Sequence, residues 1–133
     1  MTSRVDAVRA PHSPADGTLA SDLLFAQLGD DVEWQVAGSL ERLPRAGIVH
    51  GPEGVRGWLA TLNEHMDYDR FELVDIYGDG NTVVEIVQAS GRAAASGRPF
   101  ASEIVRIWTF RDGRAVLVRS YYDTAAYERA FLA

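Results

Sequence analysis

The chain has no cysteine and no lysine, and each absence removes chemistry. Without cysteine there is no thiol nucleophile, disulfide, iron–sulfur cluster or thiolate zinc site. Without lysine there is no Schiff base, pyridoxal anchor, phosphate-loop lysine or Ser-Lys dyad. All 13 basic residues are arginine, set against 19 acidic residues for a formal net charge of −6. The arginines are scattered, so the clustered basic face that nucleic acid requires is missing. No apolar run approaches the roughly 20 residues of a membrane span, and residues 1–14 lack the apolar stretch of a secretory signal. The expectation is a cytoplasmic protein with no nucleic-acid and no membrane partner. Carboxylate, histidine, tyrosine, serine and arginine remain as candidate catalytic groups.

A length of 133 residues makes one core. Residues 1–17, with Pro11, Pro14 and Gly17, read either as a mobile tail or as a short N-terminal helix over Ser3 to Ala10, in which only Val5 and Val8 could pack. Residues 18–133 form the single domain. Thr18 or Ser21 caps a helix carrying Leu19, Leu23, Leu24 and Leu28, which ends at Gly29. Val32 to Val36 alternates apolar and polar residues and predicts a strand. After a loop from Gly38 to Gly47 and a short extended piece, Ile48 to His50, the spacing of Val55, Trp58, Leu59, Leu62 and Met66 predicts a helix from Pro52 to Met66. Period-two patterning then predicts four strands: Phe71 to Tyr77, Thr82 to Ser90, Phe100 to Phe110 and Ala115 to Tyr122. Gly78 to Asn81 and Arg111 to Arg114 read as hairpin turns. A last helix or turn runs from Thr124 towards Leu132. Helices followed by a long antiparallel meander indicate an α+β fold with helices on one face of a curved sheet.

Four short motifs carry a resemblance. They are Asp30-Asp31-Val32-Glu33-Trp34, Val49-His50-Gly51-Pro52-Glu53-Gly54-Val55, Trp108-Thr109-Phe110-Arg111-Asp112-Gly113-Arg114 and Ser120-Tyr121-Tyr122-Asp123. In this order over residues 19–124, the chain resembles the nuclear transport factor 2-like superfamily, in particular its SnoaL-like and ketosteroid isomerase-related branch. The resemblance implies a cone: a curved antiparallel sheet with helices over its concave face, enclosing an apolar pocket for a small apolar molecule. It also implies a homodimer through the outer sheet face, where Val84, Val105 and Ile107 supply apolar surface. Members include isomerases, cyclases, epoxide hydrolases, dehydratases and binding modules, so the fold leaves the function open. Members usually begin with a long lid helix. This chain offers only Ser3 to Ala10, which implies a more open pocket or a cover supplied by a partner subunit.

The familiar catalytic sets do not map. In the ketosteroid isomerase pattern of an Asp base with Tyr and protonated Asp donors, the base falls near Val36, the acid donor near Arg106, and the tyrosine on the missing helix. The epoxide hydrolase set meets Glu85 to Ala89 and Ser120. Strand parity gives another route to the pocket. Laid on the resemblance, it places Trp34, Val36, Glu85, Val87, Ala89, Ile104, Arg106, Trp108, Val118, Ser120 and Tyr122 on the concave face. Glu85, flanked by apolar residues, is expected to be desolvated and raised in pKa towards general-base range unless a cation such as Arg106 offsets this. The two also fit a structural ion pair, and Glu85 could instead face outward at a dimer interface. Asp123 is a second base candidate or a helix cap. His50 is an acid/base candidate or a structural hydrogen-bonding group. Trp34, Val36, Val87, Trp108, Ser120 and Tyr122 are candidate substrate contacts, with core packing as the other reading for Trp34, Trp108 and Tyr122.

Two functions follow. One is a cofactor-independent enzyme, with no metal, performing acid/base isomerisation, cyclisation, dehydration or epoxide opening on a polyketide-like or terpenoid-like molecule. Glu85 or Asp123 would be the base, and Arg106, Tyr122 or His50 would polarise an oxygen. The other is a non-catalytic ligand-binding or dimerisation module.

Overall fold

The structure, a computed structural model, describes residues 3–12, 21–44 and 46–132. Its elements are α1 (Arg4–Arg9), a 3-10 turn (Ala10–His12), α2 (Ser21–Phe25), β1 (Leu28–Val36), β2 (Gly47–His50), α3 (Gly51–His65), β3 (Met66–Asp79), β4 (Thr82–Ala93), β5 (Pro99–Arg111), β6 (Arg114–Tyr122) and α4 (Thr124–Phe131). One curved, unclosed six-stranded sheet runs β2-β1-β6-β5-β4-β3. The meander β3 to β6 is antiparallel throughout, as its patterning predicts. β1 joins it by parallel pairing with β6, placing Trp34 beside Val118 and Val36 beside Ser120. That makes the sheet mixed.

Both hairpin turns form where glycine allows positive φ. Asp112 at φ 52° and Gly113 at φ 79° supply the paired left-handed residues that match strand twist. The expected concave set is buried apart from the partly buried Tyr122, with Glu85, Arg106 and Ser120 as its buried polar members. Trp58 of α3 packs on Trp34 of β1 with ring centroids 5.3 Å apart, which fixes the helix over the sheet.

The element ends differ from expectation in physically readable ways. The predicted helix from Leu19 begins outside the described residues, and α2 stops at Phe25, leaving Leu28 as the first residue of β1. Gly29 lies there so close to β6 that a Cβ would sit 3.0 Å from the Ala115 carbonyl oxygen. Met66 is the C-cap of α3, its N–H donating to the Leu62 carbonyl oxygen. It opens β3, pairs with Ala93 and is buried. The described part of the N-terminal segment, residues 3–12, lies over the sheet as a small lid: α1 starts on a Ser3 cap that accepts from the Asp6 N–H, and Val8 and Pro11 are buried. Its contacts run to β3 and β4, so part of the sheet that a short tail would leave open is covered by this chain itself.

Candidate functional site

Glu85 lies mid-strand in β4, directly across from Arg106 of β5. Trp108, two residues along β5, shares that face. Both donate to one carboxylate oxygen: Trp108 Nε1 lies 2.9 Å and Arg106 Nη1 3.4 Å from Glu85 Oε1. The other oxygen, Oε2, is taken by His12 Nε2 at 2.8 Å. His12 arrives there because the 3-10 turn that ends the lid seats Pro11 against the core. The His12 side chain is 7% exposed and that of Glu85 1%.

Burial pushes the Glu85 carboxyl up. The His12 hydrogen bond, the Arg106 and His12 charges and the Trp108 N–H together outweigh it, so the group sits below its ordinary value of 4.5. The expectation allowed a cation to offset burial, and Arg106, joined by His12 and Trp108, does so: Glu85 is held ionised. An ionised carboxylate only accepts, so the proton on the His12–Glu85 bond belongs to Nε2. In the neutral ring Nδ1 is then the free lone pair, and it has no hydrogen-bond partner among the described residues.

Beside this cluster is a cavity of about 550 Å³. Trp58, Leu59 and Leu62 of α3 form one wall, Tyr68 and Phe71 of β3 another, and Arg106 reaches it from the sheet. Asp67, Asp69 and Arg70 stand among its polar lining residues. A smaller chamber of about 20 Å³ shares Trp58, Leu62, Tyr68, Phe71 and Arg106 with it and is otherwise bounded by Val36, Ile104, Ser120, Tyr122 and Tyr127. Phe71 links cavity and cluster. His12 stacks on it at 6.1 Å, and the Arg106 guanidinium carbon lies 5.4 Å from its ring centroid.

The structure brings together Glu85, Arg106 and Trp108, and places Val36, Ser120 and Tyr122 at the inner chamber. Trp34 and Trp108 stand behind the cavity as core rings, 5.9 Å apart and edge to face. Val87 is buried with Ala89 and Ile104. Two proposed catalytic groups lie elsewhere. His50 is at the end of the edge strand β2, its side chain 71% exposed and 3.4 Å from Glu33. Asp123 caps α4, accepting from the Ala126 N–H at 3.1 Å. A β-edge histidine and a capping aspartate have local work that the sequence alternatives already allowed. His12 was missed. It has no periodic partner in its segment, and only its position after a buried proline sets it apart. Phe71 and Tyr68 were legible only as strand residues, although Phe71 pairs with Ala89 of the concave set.

Comparison with known proteins adds family and fold. The profile of the SnoaL-like domain family matches residues 18–118. No curated protein matches the chain. Among solved structures, an NTF2-like protein from Burkholderia thailandensis E264 is 24% identical, with 98% of each chain covered and a TM-score of 0.83. An NTF2-like protein from Burkholderia xenovorans LB400 is 27% identical over 83% of this chain and 82% of that one, with a TM-score of 0.74. A candidate SnoaL-like polyketide cyclase from Jannaschia sp. CCS1 is 20% identical over 97% of this chain and 91% of that one, with a TM-score of 0.75.

Proposed function

The chain belongs to the SnoaL-like domain family, and from that premise we propose that it is a cofactor-independent acid/base enzyme acting on a small, largely apolar, polyketide-like or terpenoid-like molecule. The observation that carries this reading is the buried His12–Glu85–Arg106 cluster beside an aromatic-walled cavity. An apolar pocket with a few convergent polar groups is the usual form of a small-molecule site. The isomerase and cyclase activities suggested for proteins of this fold need a proton moved at carbon or oxygen and an oxygen polarised.

The roles divide as follows. His12 is not itself a lining residue of the cavity but stacks on Phe71, which is; on this reading it takes or returns the proton through Nδ1, because Nε2 is committed to Glu85. Glu85 fixes the ring's tautomer and orientation and stabilises the imidazolium that forms, as a carboxylate does for histidine in other dyads. Arg106, present on the cavity wall, polarises a substrate oxygen. Isomerisation, cyclisation, dehydration and epoxide opening all use such a pair of groups.

The test is proton NMR of cyclic enolisable ketones and terpenoid epoxides incubated with the protein in heavy water, for the wild type and for His12→Phe. Accelerated exchange or turnover that falls by about a hundredfold or more in the variant is expected for a lost general base. Compounds that bind unchanged would overturn the enzyme reading and favour the second one, a ligand-binding module. One observation favours that second reading: every oxygen of Glu85 is already partnered, as in a structural ion pair.

A further inference from the structure

Two residues that line the inner chamber carry a buried donor with no hydrogen-bond partner among the described residues: Arg106 at Nε and Ser120 at Oγ. Arg106 is 4% and Ser120 5% exposed, so bulk solvent does not reach them directly. They stand directly across from one another on β5 and β6, on the concave parity, and both border the chamber. Leaving a buried donor unpaired costs roughly 1–3 kcal/mol, so two around one small space point to an acceptor that belongs there. The space is small, at about 20 Å³, and one water-sized sphere needs about 10–15 Å³. A single oxygen fits and a carboxylate does not. The charge agrees: the Arg106 cation is already matched by Glu85 at 3.4 Å, so no second full anion is called for. Around the chamber stand the rings of Trp58, Tyr68, Phe71, Tyr122 and Tyr127.

We propose that the inner chamber is a subsite for one hydroxyl or carbonyl oxygen of a planar, ring-bearing ligand, held by Arg106 Nε and Ser120 Oγ while the ring lies among the aromatic walls. The class is therefore a phenol, enol or cyclic enone rather than a carboxylic acid or an oxygen-free hydrocarbon. Ser120 is the specificity-determining residue. The proposal rests on the reading of this cavity as the binding site for a small apolar molecule, and is independent of turnover.

The probes are naphthalene, 2-naphthol and 2-naphthoate, with affinities measured by equilibrium dialysis against the full chain and against Ser120→Ala. The expected result is 2-naphthol bound about tenfold more tightly than naphthalene, which is one good hydrogen bond's discrimination, and naphthoate bound no more tightly than naphthalene. In Ser120→Ala the naphthol preference falls to within about threefold, while unchanged naphthalene binding shows that the cavity is intact. Equal binding of naphthol and naphthalene to the wild type overturns the oxygen subsite alone. So does a naphthol preference that survives in the variant, or a naphthoate preference, which would put the ligand's oxygens at Arg70 in the outer lining. Binding by none of the three overturns the cavity reading and the subsite with it.

Discussion

An acid with 1% side-chain exposure would ordinarily shed its charge, and Glu85 keeps it because three donors converge on two oxygens. Glu85→Gln removes the countercharge of a buried arginine and should cost about 3 kcal/mol in urea unfolding near neutral pH. The pH dependence has a definite sign. The folded carboxyl is depressed below 4.5, so its contribution is fully present above the unfolded value and is lost as pH falls through the folded one. The wild type should therefore lose more stability than Glu85→Gln between neutral pH and the acid range, and equal losses would contradict the assignment. Asp123→Ala should cost about 1 kcal/mol as a lost cap and leave ligand affinity unchanged, since Asp123 serves α4. At this scale the strand period, laid on the family resemblance, made Glu85, Arg106 and Ser120 legible, because the period groups the residues of one face and the resemblance says which face is concave. His12 was not legible, since no local pattern links it to a partner 73 residues away.

The strands and α3 follow from hydrophobic periods of two and of 3.6 residues, and their interiors matched expectation. Their ends did not, because pairing with a neighbour extends a strand past its local signal. β3 begins at Met66, five residues before the pattern is clear, since Met66 to Tyr68 pair with Ala93 to Gly91. That extension depends on Gly91, where a Cβ would run into the Asp67 carbonyl oxygen beside the register shift between Tyr68 and Arg70. Gly91→Ala should cost about 1–3 kcal/mol by thermal unfolding. A change inside measurement error would show that β3 yields there. The lid is the element the sequence left open between helix and tail. Over residues 3–12 burial of Val8 and Pro11 sets the segment against the sheet, in contacts that only the finished sheet provides.

On the outer face of the whole molecule, Tyr77, Val84 and Ile107 lie in register across three strands, with Val105 and Tyr121 paired beside them. Tyr77 and Tyr121 are half exposed, at 52% and 46%. The homodimer expected through this face predicts a concentration-dependent sedimentation coefficient that Tyr121→Arg reduces to that of a monomer, and a concentration-independent monomer in the wild type would contradict it. The parallel seam between β1 and β6 bears on how the chain acquires its pocket. The first long strand has no neighbour on that side until the last strand exists, so in synthesis from the N-terminus the sheet waits for nearly the whole chain. Such non-local closure is slow, and it exposes apolar surface while it is pending. The inner chamber, which takes Val36 from β1 and Ser120 and Tyr122 from β6, is then expected to close only once those strands have paired, and a ligand that fills it would stabilise only chains in which they have.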